Sequence, residues 1–392
     1  MDFDQVNSRV NTSSVKWDMM ESYFGVSAKE GGIPLWVADM DFKGPESVRA
    51  ALTEAVERGI WGYTVPSSNY KPSIIEWMQK RHQWKVEPDW ILSANGIVHA
   101  LYGLVQCYTK PGDSVIVQTP VYHKFLSAVT DNGRQLAPNP LVEKDGIYEM
   151  DFDHLESLAG PKTTMMILCS PHNPGGRVWS KAELERVAEI CLANDILLVA
   201  DEIHHDLVYG PNKHTTVGSL SPELEEKIVS CTAASKTFNL AGGMTGNVII
   251  RNKRMREQFS QQQARNGMVL SNMFGPIMSE AAYSGGEGWL DALLPYLMTN
   301  RDLVDRTLNQ IPGVKTMPLE STYLSWIDFS ETGKSFEEIV STVQDDAKLA
   351  LNLGPAFGAA GANHLRLNFA CPRPILEEAL SRLEKVLRAL VA

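Results

Sequence analysis

The chain has 392 residues, a formal net charge of −11 and 44% hydrophobic residues. Since single hydrophobic cores stop growing at roughly 250–300 residues, this length predicts two domains. The negative charge disfavours nucleic acid and anionic membranes as partners, and no apolar run is long enough to span a bilayer.

The N-terminal sequence MDFDQVNSRVNTSSVKWD is acidic and polar where a signal peptide has a basic and then an apolar stretch. This pattern predicts a cytoplasmic protein. The chain has 5 cysteines, an odd number, and no two of them have CxxC spacing. Buried free thiols are therefore expected, rather than a disulfide framework or a zinc site.

The stretch up to about Lys43 is irregular, and the patterns that follow predict helices from Pro45 to about Arg58 and from Tyr70 to His82. Short apolar runs then alternate with helical patterns. We predict strands at 114–118, 164–169, 196–200, 228–232 and 247–251, and helices at 96–108, 124–132 and 181–194. This alternation is typical of an α/β fold with a mostly parallel sheet between helices.

The pattern changes at about Gly286. A long helix is predicted at 289–310, followed by strands at 323–328 and 364–369 and helices at 335–346 and 374–390. The sequence therefore predicts three parts, which are an N-terminal segment packing with the small domain (1–45), a large domain (46–285) and a small α+β domain (286–392).

Polar residues follow several predicted strands, at the edge where open α/β sheets bind ligands. Lys236 comes after the strand at 228–232, and such a lysine can form a Schiff base with an aldehyde cofactor. Asp201 directly follows the strand at 196–200 and can pair with a protonated pyridine nitrogen. The alternatives are a solvated surface lysine and an N-cap or surface acid.

The residues after Asp201 also resemble a metal-binding cluster, since Glu202, His204, His205 and Asp206 lie close together in sequence. Their spacing is not HExxH, and neither a cysteine nor a distant histidine stands out as a completing ligand. No metal site is expected.

Two further turns carry candidate binding residues. Asn173 lies in a turn rich in proline and glycine after the strand at 164–169, where its amide can donate to a cofactor oxygen or a substrate carboxylate. Gly96 begins a helix whose free N–H groups can bind phosphate. A plain turn asparagine and an ordinary helix start are the alternatives.

Arg366 lies in the middle of an apolar predicted strand. Burying its charge is costly unless an anion pairs with it. A bidentate clamp on a substrate α-carboxylate and a structural salt bridge are both open.

Taken together, these motifs resemble the fold-type I pyridoxal-phosphate (PLP) enzymes of the class I/II aminotransferase superfamily, and more narrowly the MalY/PatB branch of cystathionine or cysteine-S-conjugate β-lyases. The resemblance covers almost the whole chain. It is carried by the segments VKWD (15–18), PLWVADMDF (34–42), GYT (62–64), TPVY (119–122), SPHNP (170–174), DEIH (201–204), SKTFNLAG (235–242) and RLNFACPR (366–373).

The resemblance implies a role for each site residue. Lys236 would be the Schiff-base lysine and proton shuttle, and Asp201 would pair with the pyridine nitrogen. Asn173 and His204 would lie near the phenolic oxygen, and Tyr122 would stack on the ring.

The remaining implied roles concern the phosphate and the substrate. Gly96, Ile97 and Ser235 would help to hold the phosphate. Tyr63 would reach it from the partner subunit, so that a homodimer shares each site. Arg366 would clamp the substrate carboxylate.

Three positions depart from the family pattern. Met244 stands where the aminotransferases have an arginine, and a glutamine typical of the branch is missing from the same loop. Ser321 replaces a common glycine, and His99 replaces a small or apolar residue. One phosphate contact and the substrate preference are therefore left open.

The expected activity is a carbon–sulfur β-lyase reaction that releases a thiol, pyruvate and ammonia. An aminotransferase is the alternative, since its early steps are the same. A PLP-binding regulatory protein that acts through protein contacts is the second alternative. A NAD-type enzyme is disfavoured because no GxGxxG opens a helix after a strand.

Overall fold

The computed structural model describes residues 1–392. Seven strands form the central sheet, in the order β2-β10-β9-β8-β7-β3-β4. The strands up to residue 250 are β1 (Ile33–Pro34), β2 (Ile91–Ala94), β3 (Ser114–Thr119), β4 (Gln135–Pro140), β5 (Val142–Lys144), β6 (Ile147–Glu149), β7 (Thr163–Cys169), β8 (Leu197–Asp201), β9 (Ile228–Thr232) and β10 (Gly246–Ile249).

Strand β10 runs antiparallel to both of its neighbours, β2 and β9, whereas β3, β4, β7, β8 and β9 pair with one another in parallel. The predicted mostly parallel sheet is confirmed. The middle strands β7, β8 and β9 are almost entirely buried, because helices cover both faces, and this explains their continuous apolar runs.

Helices of eight or more residues surround the sheets. They are Glu46–Glu57, Tyr70–His82, Ile97–Tyr108, His123–Thr130, Lys181–Ala193, Lys253–Arg265, Phe274–Gly285, Glu287–Leu308 and Arg373–Val391. Shorter helices are Val15–Asp18, Met20–Phe24, Phe152–Leu158, Pro222–Glu225, Ala234–Thr237 and Phe336–Ser341. None of the helices is both long and apolar enough to cross a membrane.

The C-terminal part has its own antiparallel sheet, in the order β11-β12-β15-β14. Its strands, with the short β13, are β11 (Lys315–Thr316), β12 (Leu324–Asp328), β13 (Leu349–Ala350), β14 (Asn352–Leu353) and β15 (His364–Asn368). The final helix packs on this part through a stripe of leucines at helical spacing: Leu376, Leu380, Leu383 and Leu387.

The N-terminal segment is attached to these C-terminal elements. Strand β1 pairs in parallel with β13, and the Leu35 N–H donates to the Ala350 carbonyl at 2.8 Å. A buried ion pair between Lys16 Nζ and Asp41 Oδ2, at 2.7 Å, joins the first helix to the residues that follow β1. The domain boundaries at residues 45 and 285 stay a prediction.

Most predicted elements are confirmed, with ends that differ by at most two residues, but several were missed. The helix Lys253–Arg265 buries only Phe259, so its sequence carries no hydrophobic period. The predicted helix at 335–346 is α-helical only up to Ser341 and continues as a π-helical turn, Thr342–Asp346. All cysteines are free thiols, as expected.

Candidate active site

A cavity of about 760 Å³ lies beyond the carboxyl ends of β7, β8 and β9. Its volume is in the range of small-molecule sites, roughly 300–1,000 Å³. Every candidate residue from the sequence except Tyr63 lines it, namely Gly96, Ile97, Tyr122, Asn173, Asp201, His204, Ser235, Lys236 and Arg366.

Lys236 lies in the one-turn helix Ala234–Thr237 that follows β9, and it is partly buried at the cavity wall. Its Nζ donates to the carbonyl oxygen of Ala38 at 2.6 Å. Burial lowers the pKa of Lys236 to about 8, and the charge of Arg366 acts in the same direction, while Asp39 and Asp201 oppose both. A substantial fraction of this amine is therefore neutral and nucleophilic near pH 8.

Asp201 is the last residue of β8, rather than the residue after it as predicted, and it is 6% exposed. Its Oδ1 accepts a hydrogen bond from the Ile203 N–H at 3.1 Å, and no helix begins there, so the N-cap interpretation is wrong. Burial raises the pKa of Asp201 to about 7. A cationic ligand atom beside it would restore the carboxylate.

Arg366 lies on β15 and is 3% exposed. Its Nη1 donates to Asn173 Oδ1 at 3.1 Å and its Nη2 to the Trp36 carbonyl at 2.8 Å and to Asn352 Oδ1. No carboxylate lies within 4.0 Å, so the alternative of a structural salt bridge is wrong. The Nε atom is buried without any partner, as expected for a group that binds an anionic ligand.

Asn173 and His204 line the cavity, and each has a polar side-chain atom without a partner in the chain. Asn173 is 5% exposed; its Oδ1 accepts from Arg366, and its Nδ2 donates to no group of the chain. His204 Nδ1 is buried without a partner. Burial, with the charges of Lys236 and Arg366, holds the pKa of His204 well below its usual value, so this imidazole is neutral.

Tyr122 borders the cavity immediately before the helix His123–Thr130. Burial raises the pKa of its phenol, which therefore stays protonated. Its ring is partly buried and lies edge-on to His123, with centroids 4.7 Å apart. The ring can therefore cover a planar ligand in the cavity.

A helix N-terminus also lines the cavity. Gly96 precedes the helix Ile97–Tyr108 with a φ of 90°, a left-handed conformation that favours glycine. No side chain caps this helix, so its first N–H groups are free for an anion. Ser235 adds a hydroxyl to the same cavity.

Tyr63 is not brought to the site within one chain. Its side chain is 98% exposed, and it does not line the cavity. Its neighbours Ile60, Trp61 and Val65 are also largely exposed. The predicted contact of Tyr63 from a partner subunit stays a prediction.

The three departures from the family pattern have different surroundings. Met244 and His99 line the cavity, and His99 Nδ1 is 2.6 Å from the Asn95 carbonyl. Ser321 lies outside the cavity, where it is fully buried and its Oγ donates to the Gly176 carbonyl at 2.9 Å. Ser321 therefore stabilises the turn that carries Asn173.

Sequence reasoning assigned no role to several groups at the cavity, among them Trp36, Ala38 and Asn352. The Ala38 carbonyl accepts hydrogen bonds from both Lys236 and Tyr323, whose hydroxyl is 3.0 Å away. The segment containing Ala38 was recognised as family-like, but backbone carbonyls leave no chemical signal in a sequence. Asn352 lies on a two-residue strand that has no periodic pattern.

A buried cluster of His82, His205 and Asp206 lies behind the site, with ligand atoms within 4.8 Å of one another. Asp206 Oδ1 is 2.8 Å from His82 Nε2, and Asp206 Oδ2 is 3.0 Å from His205 Nε2. Trp77 and Thr237 donate to the same carboxylate. Protein donors thus already surround Asp206, and the cluster supports the loop of Lys236.

A sequence profile described as aminotransferase class I and II matches residues 31–383. The chain belongs to this family. It is 43% identical, over 389 residues, to the cystathionine β-lyase PatB of Bacillus subtilis, across 99% of this chain and 100% of that relative. The resemblance to the MalY/PatB branch is thereby confirmed.

Two solved structures share the fold along almost the whole chain. Cystalysin from Treponema denticola, which contains pyridoxal 5′-phosphate, has a TM-score of 0.95 at 37% identity and covers 99% of both chains. The PLP-bound C-S lyase from Staphylococcus hominis has a TM-score of 0.91 at 30% identity, with 99% of this chain and 98% of that chain covered. The predicted fold-type I class is confirmed.

Proposed function

We propose that this protein is a PLP-dependent carbon–sulfur β-lyase, which cleaves cystathionine or related cysteine S-conjugates to a thiol, pyruvate and ammonia. One observation carries the proposal. Lys236, Asp201 and Arg366 line one cavity, and none of them forms a salt bridge within the chain. Buried charges need partners, and PLP with an amino acid supplies an aldehyde, a cationic ring nitrogen and a carboxylate.

The residues of the cavity fit this cofactor. The buried, unpartnered Nδ1 of His204 and the free Nδ2 of Asn173 can bond to its polar atoms. Asp201 would hold the ring nitrogen, and the ring of Tyr122 would cover the ring face. The phosphate would lie at the helix start, held by the backbone of Gly96 and Ile97 and by the hydroxyl of Ser235.

Bound PLP supplies an electron sink that stabilises negative charge at the substrate α-carbon. Asp201 keeps the ring nitrogen protonated, because an ionised carboxylate beside it favours the cation. Arg366 orients the substrate by binding its α-carboxylate with a planar pair of N–H groups.

Lys236 is the proton carrier. In its neutral form the Nζ can take the proton from the substrate α-carbon, and the resulting ammonium can return a proton to the departing sulfur. Overall, one water is consumed: the C–S bond breaks, the thiol leaves with a proton, and hydrolysis of the remaining three-carbon unit gives pyruvate and ammonia.

The deciding experiment measures pyruvate released from L-cystathionine in the absence of any keto acid. We expect stoichiometric pyruvate from the wild type, and none from Lys236→Ala, which also loses the yellow absorption band of the bound cofactor. Lys227→Ala is the matched control, because Lys227 is exposed and pairs with Asp195 on the surface. Amino transfer to a keto acid without pyruvate would instead establish an aminotransferase.

A homodimer in the cytoplasm is part of the same proposal. The exposed apolar side chains Ile60, Trp61, Tyr63 and Val65 form a contiguous stretch of chain. Such a stretch is typical of a protein contact surface. A second copy of the chain on this surface would allow Tyr63 to reach the phosphate end of its partner's cavity.

A further inference from the structure

Lys124 is a cation without a partner at the cavity wall. It is the second residue of the helix His123–Thr130, it is partly buried, and it lines the cavity. Its Nζ forms neither a salt bridge nor a hydrogen bond within the chain. A long charged side chain is usually either solvated or paired, and Lys124 is only partly solvated.

The position of Lys124 is also electrostatically unfavourable. The first turn of a helix carries partial positive charge, so cations are disfavoured there. The preceding residue, Tyr122, provides no side-chain cap that would offset this charge. Neighbouring His123 has its pKa lowered to about 4 by burial and by the charges of Lys124 and Arg366, which places both cations near this ring.

The anionic groups of the cofactor and of the substrate amino acid all have other binding residues, so none of them is a partner for Lys124. In the proposed function, Arg366 would bind the substrate α-carboxylate, and the phosphate would lie at the start of the helix Ile97–Tyr108. Asp201 is the one acidic side chain that lines the cavity, and in the proposed function it would hold the ring nitrogen. The remaining occupant of the cavity is the sulfur substituent of the substrate.

We propose that Lys124 binds an anionic group at the end of this sulfur substituent, so that the enzyme prefers cysteine S-conjugates whose leaving thiol carries a carboxylate. The inference rests on the proposed β-lyase function and specifies its substrate class. Val15, Tyr23 and Trp36 line the same cavity and offer apolar contacts to the methylene groups between sulfur and carboxylate.

The test compares two isosteric substrates, S-(2-carboxyethyl)-L-cysteine and its neutral amide S-(2-carbamoylethyl)-L-cysteine. For the wild type we expect kcat/KM, measured from pyruvate, to be about tenfold higher for the carboxylate, as one charge-assisted hydrogen bond provides. Lys124→Gln should bring this ratio to about one by lowering kcat/KM for the carboxylate, whereas Lys124→Arg should keep most of the preference. Lys110→Gln, at an exposed lysine outside the cavity, should change neither value.

A binding measurement without turnover accompanies the kinetics. Pimelate has two carboxylates at the same chain separation as the acidic substrate, and heptanoate has only one. We expect pimelate to raise the melting temperature of the holoenzyme more than heptanoate does, because a ligand stabilises the state that it binds. Lys124→Gln should abolish this difference.

The outcomes separate the two proposals. Pyruvate from the amide supports the β-lyase function whatever Lys124 does. Equal kcat/KM values for the two substrates, or a preference that survives in Lys124→Gln, would overturn the role of Lys124. A loss of the cofactor band in Lys124→Gln would also overturn it, since Lys124 would then contact the phosphate. Without any pyruvate the β-lyase proposal fails, and the pimelate measurement still decides on Lys124.

Discussion

Arg366 Nη1 donates to Asn173 Oδ1 at 3.1 Å, a contact between residues that are 193 positions apart. It joins β15 of the C-terminal sheet to the turn after β7 of the central sheet. The contact holds the guanidinium at the cavity while its Nε remains without a partner. The two sheets therefore assemble the carboxylate-binding end of the site together.

Replacement of Arg366 by lysine keeps the charge but removes the planar pair of N–H groups. We expect kcat/KM for cystathionine to fall about 100-fold, mainly through a higher KM, because bonds to a charged group are lost. Pyruvate release over a range of substrate concentrations measures this. The matched control is Arg373→Lys, outside the cavity, where the guanidinium lies over the ring of Tyr296. An equal effect of both substitutions would contradict the clamp.

The pKa of Lys236 sets the pH dependence of cofactor binding. Only the neutral amine attacks an aldehyde, and burial lowers the pKa of this amine to about 8. The rate at which the cofactor-free protein takes up PLP should therefore rise with pH up to about 8 and then level off. Rapid-mixing absorbance at a series of pH values measures it. A rate that still climbs towards pH 10, where an ordinary lysine titrates, would contradict the effect of burial.

Asp201→Asn should lower the activity of the enzyme with bound PLP and reduce the pH dependence of stability of the cofactor-free protein. With PLP, loss of the carboxylate should lower kcat at least about 100-fold, as for other preorganised electrostatic groups. Without PLP, the raised pKa of about 7 means that the folded chain holds this proton more tightly than the unfolded chain does. The stability contributed by that proton is present at acidic pH and is lost as the pH rises through about 7.

Asparagine carries no titrating proton, so Asp201→Asn should remove this loss of stability with rising pH. The fall in melting temperature of the cofactor-free protein between pH 5 and pH 8 should be smaller for Asp201→Asn than for the wild type. Thermal unfolding at both pH values checks this. Asp195→Asn, at an exposed aspartate whose Oδ1 pairs with Lys227, is the control and should leave the fall unchanged.

The central sheet could be predicted because buried parallel strands have continuous apolar sequences and end in polar residues. Asn173, Asp201 and Lys236 follow or end consecutive strands of the chain, and the topology makes these strands neighbours. Their meeting at one cavity therefore follows from sequence order and parallel pairing. The contact with Arg366 does not, because it depends on how the C-terminal sheet packs.

Other parts of the fold gave no signal. The edge strand β4 (QLAPNP) contains two prolines, which argue against a strand in sequence, yet an edge position tolerates them. The Ala38 carbonyl that accepts a hydrogen bond from Lys236 is a backbone group, and every residue type has one, so the sequence does not mark it. The cluster around Asp206 joins His82 and His205, which are far apart in sequence.

The support of the Lys236 loop by Asp206 can be tested at Thr237. Thr237 is fully buried and its Oγ1 donates to Asp206 Oδ2 at 2.7 Å. Burial alone would raise the pKa of Asp206, but His205 and His82 lower it well below the usual value, so this bond is made to a charged acceptor. Thr237→Val should lower the free energy of unfolding by about 1.5–3 kcal/mol in urea denaturation.

Two other threonine substitutions control this result. Thr237→Ser keeps the hydroxyl and should recover more than half of the loss. Thr299→Val removes an exposed hydroxyl that bonds to its own helix, and it should change the free energy of unfolding by less than about 0.5 kcal/mol. If Thr237→Val were as stable as the wild type, the hydrogen bond to Asp206 would not stabilise the loop.

Tyr63 tests the shared site of the proposed homodimer. Its hydroxyl is fully accessible in one chain, so only a second chain can give it a binding role. Tyr63→Phe should weaken PLP binding about tenfold, the effect of losing one hydrogen bond to a charged phosphate, without changing the dimer.

Trp61→Glu should break the dimer, because a carboxylate would be buried in an apolar contact, and it should weaken PLP binding at the same time. Sedimentation and cofactor titration measure the two effects. Tyr102→Phe is the control, because Tyr102 is partly buried outside the cavity and its hydroxyl donates to Asp131. A monomer that binds PLP as tightly as the wild type would show that each chain completes its own site.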